Sequence, residues 1–484
     1  MNLNDIYTIL PPLVLVIGSL VILLADLVIP RGKKFITALL AIITLIASLV
    51  TLPLLWGQSL IGFSQMTSLD GYALFLDGLL AIIGIIVVLL TLRYNNDRGI
   101  MRGEFYPLLL FSISGMMLMA HAVNLLVVFI AVELLSIPLY VLCGIARPRA
   151  DSEESSLKYF LLGAFASGFL VYGIALMYGA TGSTQLSVIA SKITSGTLQN
   201  PLYLYAGVGL LLVGLGFKVA AVPFHMWTPD VYAGAPTTVT AFMATATKAA
   251  GFAAVLRVFL FGLAPLITTW QPIIAVLAAL TMIIGNVIAL AQMNLKRMLA
   301  YSSIAHAGYV LIGVATGNEM GTIGVLFYLA SYAFTTLTAF AVMTLLGTVD
   351  GEDQSLEAYA GLIHRKPMAA LVMALAMLSL TGIPPTAGFA GKYFLFQAAV
   401  GSGLGWLAVI GVITSVISAY FYLRVIVTMF MREPGAQPAA FGASSLARNI
   451  AIGFTALATL VLGILPAPLL DLVTQAVRSL VGKA

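Results

Sequence analysis

Four ionisable side chains stand inside long apolar runs, where a charge is hardest to keep: Glu133, Lys218, Lys248 and Lys392. A charged group at the centre of a bilayer costs about 2.5–3.5 kcal/mol on insertion scales. Lys248, in TVTAFMATATKAAGFAAVLRVF, is about eleven residues from either end of its run. At 1.5 Å per residue that is roughly 16 Å of depth, too far for a lysine to snorkel. Glu133, in NLLVVFIAVELLSIPLYVLCG, is at mid-run too. Lys218 stands in GLGFKVAAVPFHMWTPD, before Pro223 and His225, and Lys392 in SLTGIPPTAGFAGKYFLF. The glycines and prolines around both argue against straight helices. Irregular backbone in a membrane is tolerated where protein or a water-filled cavity satisfies it, and breaks beside charges point to an ion pathway.

The chemistry these residues suit is proton transfer. Burial disfavours the charged form of a lysine, and a carboxylate close by favours it again. A Glu–Lys contact that opens and closes is therefore a switch: closed, the lysine keeps its proton; opened, it releases it. Glu133 is the one acid at mid-run, so it is the natural partner for one of the lysines. Several lysines at similar depth, joined by water and polar side chains, would pass protons laterally.

Other polar residues make weaker claims. Lys158 follows the loop RPRADSEESS closely, where an interfacial role competes with a functional one. Arg257 and Arg424 lie within reach of run ends, where snorkelling is the expectation. Asp26 and Asp77 also sit near run ends. A histidine near a helix end is more often packed and hydrogen-bonded than a proton carrier, which is the reading for His306. His225, at the mouth of a broken helix, has the stronger functional claim.

These residues need membrane helices to position them. The chain has 484 residues, 61% apolar and 8% charged, with mean hydropathy +1.06; a soluble domain carries roughly 25% charge. The expectation is an all-α polytopic membrane protein of about 14 spans of some 20 residues each. They fall near 8–30, 35–55, 74–92, 106–121, 124–143, 157–179, 203–224, 237–262, 271–291, 299–316, 321–347, 368–399, 403–430 and 449–472. The fourth and fifth are separated by only His121 to Asn124. The twelfth, unbroken, would reach about 50 Å across a core of about 30 Å, so it must break. With the N-terminus outside, the inner loops hold 14 of the 23 basic residues, at 31–34, 93–102, 147–149, 296–297, 365–366 and 432–448. The outer segments hold only Lys192, Arg478 and Lys483. The positive-inside rule then puts both termini on the periplasmic or equivalent side. The N-terminus has no basic n-region or cleavage site and reads as a first span.

Composition excludes much else. Cys143 is the single cysteine, so there is no disulfide framework and no thiolate set for zinc or iron–sulfur. The four histidines form no HExxH, and no P-loop or strand-linked GxGxxG occurs. The charge of +5 is spread over short loops, which argues against nucleic acid. No redox cofactor, nucleotide or metal site is expected in this chain. Span seven has glycines, Lys218 and a proline break; span twelve has a proline break, glycines and Lys392. That five-span offset hints at a repeat, and an odd span number forces inverted topology.

At PFHMWTPDVYAGAPTTVTAFMATATK, with VELLSIPLYVL, ESSLKYFLLGAFASGF, NLKRMLAYSSIAHAGYVLIG and SLTGIPPTAGFAGKYFLF, the chain resembles the antiporter-like membrane subunits of bacterial NADH:quinone oxidoreductase, respiratory complex I. Nearly the whole chain is covered. Lysine at 248, where the two sibling subunits usually have histidine, favours the N type; Thr238 stands where the pattern more often has proline. The resemblance implies 14 helices, with inverted five-helix repeats at about 106–262 and 271–430. Spans 1–3 (about 8–92) and a last span (about 449–472) complete a single membrane domain over 1–484. It implies that Glu133 pairs with Lys218, Lys248 is the central relay, Lys392 lies near the exit, Lys158 supports, and His225 is on the uptake side. It implies that NADH, FMN, iron–sulfur clusters and quinone belong to partner subunits, with the M, K and J subunits as neighbours in the bacterial cell inner membrane. Two other readings remain at this point: a subunit of a cation/proton antiporter complex without redox partners, and a structural scaffold with static ion pairs.

Overall fold

In the computed structural model, residues 2–346, 354–434, 442 and 445–481 are described; Lys483 lies outside them. Every predicted span has a helical counterpart. They are α1 (Leu10–Val28), α2 (Phe35–Leu55), α3 (Gly71–Asp97), α4 (Phe105–His121), α5 (Leu125–Cys143), α6 (Ala150–Thr181), α7 (Pro201–Val219), α8 (Thr237–Gly262), α9 (Ile267–Leu290), α10 (Leu295–Thr316), α11 (Glu319–Met343), α12, α13 (Gly405–Met431) and α14 (Leu446–Ile464). Helix α12 comes in two halves, α12a (Pro367–Thr381) and α12b (Ala387–Gly401). Twelve of these are long and apolar enough to cross a membrane; Phe105–His121 and Pro367–Thr381 are shorter apolar helices.

The narrow gap between the fourth and fifth spans is real. Asn124 caps α5 by accepting from the Leu126 amide, at 2.9 Å, and also bridges to Gln185. A two-stranded hairpin, β1 (Leu60–Gly62) and β2 (Thr67–Leu69), pairs Leu60 with Leu69 and rests against Ala122. The last span ends earlier than expected. The helix stops at Ile464, before Pro466, and a separate helix, α15 (Ala467–Val481), packs on α3 and α11. Proline holds the residue before it out of the helical region.

Burial separates the helices into two kinds. In α8, α10 and α11 nearly every residue of the apolar stretch is buried, whereas α1, α2 and α14 expose most of theirs. The first group forms the interior; the second presents leucine, isoleucine and valine to lipid. A helix that is apolar all round yet fully buried must pack against others on every side.

One expectation needs correction. Arg257 does not snorkel: it is 2% exposed. Its guanidinium makes two bonds to Asp70, at 2.8 and 2.9 Å, and one to the Ala120 carbonyl, at 2.9 Å. A buried carboxylate that already caps α3, through the Ala73 amide at 3.0 Å, is a nearer partner than the headgroup region. Arg424 does sit at a helix end, where it donates to the Leu290 and Gln292 carbonyls at the close of α9. Lys34 reaches back to Asp26 at 2.6 Å.

Arg257→Leu should destabilise the protein by about 3–5 kcal/mol, because it leaves Asp70 buried and uncompensated. The double variant with Asp70→Asn should lose less than the sum of the singles. Thermal unfolding of the detergent-solubilised protein measures both.

Candidate functional site: a buried lysine axis across two broken helices

The first break follows α7. Gly214 and Gly216 lead to Lys218, and Ala220 then takes a left-handed conformation with φ 60°. For a residue with a Cβ this costs about 1–3 kcal/mol and persists only where the surroundings enforce it. They do so by giving partners to groups that the break frees. The Phe217 carbonyl accepts from Trp227 Nε1 at 3.0 Å, and the Val222 amide donates to Thr281 on α9 at 3.0 Å. The Val219 carbonyl accepts from the ammonium of Lys248, at 3.1 Å. Helix α8 comes this close because Gly251 faces the break, where a Cβ would lie 2.9 Å from the Val219 side chain.

The second break divides α12 at Gly382, with φ 92°. Here too an ammonium meets the freed carbonyls. Lys392, on α12b, reaches back to Leu380 at 3.1 Å and Thr381 at 2.8 Å, and donates to Ser415 on α13 at 3.0 Å. The two halves overlap side by side. The Gly388 amide donates to Ser379 Oγ at 3.1 Å, and a Cβ on Gly388 would lie 1.8 Å from the Ser379 carbonyl oxygen.

Lys218, Lys248 and Lys392 are all buried, at 4%, 2% and 4% exposure. Lys218 donates to Ser136 on α5 at 2.6 Å and lies against Tyr159, 5.5 Å from the ring centre. Glu133 is one turn away on the same face of α5, since residues three apart are neighbours. Its carboxylate accepts from Ser167 on α6. No ion pair joins Glu133 to Lys218 among the described residues: Lys218 donates to Ser136 instead, and Glu133 accepts from Ser167.

Between Lys248 and Lys392 lies a cluster that the sequence did not announce. His306, on α10, bonds Tyr328 through Nδ1 and Tyr422 through Nε2, the latter at 3.1 Å. Tyr422 also bonds Ser302. His306 stands edge-on to Tyr309, with ring centres 5.6 Å apart. The Tyr309 hydroxyl accepts from Ser415, at 3.1 Å, the same serine that accepts from Lys392. The buried hydroxyl of Ser331 has no hydrogen-bond partner in the protein, and those of Ser303 and Thr336 lie near Tyr332 without a well-formed bond. The only hint in the sequence was His306 and Tyr309 three residues apart in an apolar run; nothing marked Ser136, Ser167 or Ser415.

The two supporting residues stand apart from the axis. Lys158 is 40% exposed and pairs with Glu154 and Asp230, each at 2.7 Å, while Arg297 holds Asp230 from the other side at 2.9 Å. Together they line a cavity of about 680 Å³. His225 is buried in the unwound segment after α7, and its Nδ1 has no partner in the protein.

The family described as "NADH:quinone oxidoreductase/Mrp antiporter, TM" matches residues 122–418. The chain belongs to that family. The matched region opens just before α5 and closes within α13, so it includes both broken helices, the half-buried Glu133 and the three buried lysines of the axis. The chain is 47% identical over 483 residues to NADH-quinone oxidoreductase subunit N of Chloroflexus aggregans, covering 99% of this chain and 98% of that one. It is 44% identical to the subunit N of Trichlorobacter lovleyi, covering 99% and 97%. Among solved structures, a chain of respiratory complex I from Thermus thermophilus, with bound aureothin, matches with TM-score 0.83 and 38% identity over 96% of this chain and 100% of that one. A chain of the Mrp complex from Dietzia also reaches 0.83, but at 21% identity, which speaks to fold alone.

Gly388→Ala should destabilise the protein by about 1–3 kcal/mol, as overpacking does, because the added methyl meets backbone. Gly168→Ala, on lipid-facing α6 with nothing within 4 Å of its Cβ position, should change little. Melting temperatures of the two variants check the contrast.

Proposed function

We propose that this chain is the antiporter-like subunit N of a bacterial NADH-quinone oxidoreductase and that it carries protons along the axis Glu133, Lys218, Lys248, His306 and Lys392. The observation that carries the reading is the geometry of the lysines. Three ammonium groups are buried in the membrane domain, each beside a helix break; Lys218 and Lys392 donate to hydroxyls, and Lys248 to the Val219 carbonyl freed by the first break. Subunit N relatives at 40–47% identity over nearly the full chain support the complex, and the Mrp likeness at 21% does not favour a stand-alone antiporter.

The Glu133–Lys218 contact is the switch. In the open arrangement Lys218 is held by Ser136, and Glu133 by Ser167. A small shift of α7 along α5 exchanges Ser136 for Glu133 and closes an ion pair, which holds a proton on the lysine. Reopening strands the ammonium without a counter-charge, and the proton passes inward to Lys248. From there the hydroxyls of Ser303, Ser331 and Thr336, bridged by water, lead to His306; Tyr309 and Ser415 lead on to Lys392. Buried hydroxyls short of protein partners suit bound water, the remaining partner for such groups. Lys158, Asp230 and Arg297 form the charged vestibule on the basic-loop face, with His225 on the uptake side.

NADH oxidation and quinone reduction belong to partner subunits, which hold FMN and the iron–sulfur clusters; this chain supplies no redox centre. Its neighbours are the M, K and J subunits, in the cell inner membrane with both termini on the periplasmic side. The 14 helices form two inverted five-helix repeats, α4–α8 and α9–α13. Matching packing supports this: α4 lies along α5 and α6 along α7, just as α9 lies along α10 and α11 along α12.

Inverted membrane vesicles from the native host test the reading. With the complex assembled, Lys218→Ala should lower NADH oxidation and NADH-driven acidification together, by about tenfold or more, and Lys218→Arg should retain part of both. Full NADH-driven acidification in Lys218→Ala would remove this lysine from the path. Unchanged NADH activity with loss of cation/proton exchange would assign the chain to an antiporter complex instead.

A further inference from the structure

A second group of buried ionisable residues lies outside the lysine axis. Asp77 on α3 and His121, the last residue of α4, are both fully buried and meet through Oδ2 and Nε2 at 2.8 Å. Their other polar atoms, Asp77 Oδ1 and His121 Nδ1, have no hydrogen-bond partner in the protein. A pair that served packing alone would have those atoms satisfied, because a half-satisfied buried network is costly.

Two turns closer to the end of α3 stands the Asp70–Arg257 pair. Arg257 holds the carbonyl of Ala120, the residue next to His121, so the two pairs share one backbone segment. Asp70 accepts from Ser68 Oγ at 3.2 Å. Ser68 and Arg257 also line a cavity of about 420 Å³ beside the hairpin, with Gln65 and Gln185. This is the face where the first residues and α15 lie: helix Leu3–Thr8 packs on β1, and Ser479 of α15 abuts Gly71. Ser68 and Arg257 therefore belong both to the cavity wall and to the surroundings of Asp70, and Arg257 also holds the segment that carries His121.

We infer that Asp77 and His121 form a second proton-binding site, which exchanges one proton with the aqueous phase on the termini's face through the Asp70–Arg257 pair. It rests on the reading of this chain as a proton-translocating subunit. The balance is simple. Unloaded, the site is a carboxylate with a neutral imidazole and carries one negative charge. It takes a single proton from water in the cavity onto Asp77 Oδ1, the carboxyl oxygen without a protein partner, and becomes neutral overall; it returns that proton to the same water. The Asp70–Arg257 pair is neutral in both states and supplies the polar step between cavity and site.

The other charged groups packed around these helices are engaged elsewhere. On α1, Asp26 is held by Lys34. On α5, Glu133 accepts from Ser167. On α14, Arg448 donates to the Thr344 carbonyl near the far end of α3. On α15, Arg478 pairs with Glu319 of α11 at 3.5 Å; Asp471 lies on that same helix. The link to the lysine axis is α8 itself. Lys248 and Arg257 begin and end one α-helical stretch, bracketed by π-helical turns at Met243–Thr247 and Val258–Gly262. They stand about 13 Å apart along it, so a movement at one reaches the other. π-Turns are frequent at functional sites.

The test uses the intact complex. Infrared difference spectra, recorded as the pH on the termini's face is stepped, should contain a protonated-carboxyl band that disappears in Asp77→Asn and shifts in His121→Gln, while Glu133→Gln keeps it. In inverted vesicles, Asp77→Asn should move the pH profile of NADH-driven acidification by about one unit or more, with uncoupled NADH oxidation retained. Spectra and pH profile both unchanged in Asp77→Asn would make the pair static and overturn the inference. If Asp77→Asn fails to assemble, the His121→Gln spectrum decides alone: a shifted carboxyl band supports the site and an unshifted one overturns it. A silent Asp77→Asn beside a pumping-deficient Lys218→Ala sinks this site only. An Lys218→Ala that pumps normally sinks the pump reading, whereas the infrared titration stands or falls by itself.

Discussion

A helix that breaks inside a membrane frees backbone carbonyls that no water is present to satisfy, and in this protein lysine ammonium groups supply the missing donors. Lys248 serves Val219, and Lys392 serves Leu380 and Thr381. Each contact solves two problems together. The carbonyls lie at the C-terminal end of a half-helix, where the helix dipole is negative and favours a cation. The ammonium, which would be costly alone in lipid, gains acceptors it could not find on an intact helix. Breaks and lysines therefore depend on each other, and removing either exposes the other's cost.

This arrangement also explains why the contacts can change. A lysine held by backbone carbonyls and a serine hydroxyl has neutral partners, which stabilise the charged form less than a carboxylate does. The cation is accommodated without being locked. Glu133 sits one helical turn from the serine that holds Lys218, so a displacement of about 4.5 Å, three residues' rise, converts a neutral contact into an ion pair. Fully paired buried charges, by contrast, behave as fixed structure. Arg257 is bound by Asp70 and the Ala120 carbonyl together, and it anchors α8 to α3 and α4.

The interior is rigid enough to aim these groups because α8, α10 and α11 are buried on nearly every side. Glycine makes the close approaches possible. Gly251 brings α8 to the first break, and Gly388 lays the two halves of α12 against each other. The outer helices expose aliphatic side chains to lipid and leave the polar groups to the centre, where Ser415 and the Tyr309 hydroxyl serve Lys392 and the Tyr309 ring stands edge-on to His306.

The sequence by itself determined the class of protein, the positions of the helices, the two breaks and the depth of Glu133, Lys218, Lys248 and Lys392. Those properties follow from runs of apolar residues, from glycine and proline, and from distance along a helix of known rise, all of which are local. Tertiary structure alone decided which polar groups meet. Ser136 takes the Lys218 ammonium, Ser415 and Tyr309 lie beside Lys392, His306 bonds two tyrosines, and Arg257 turns inward to Asp70. These partners are 22 to 187 residues apart in the chain. A serine or tyrosine in an apolar run reads the same whether it faces lipid or a lysine, because its partner is set by the packing of helices that the local pattern does not contain.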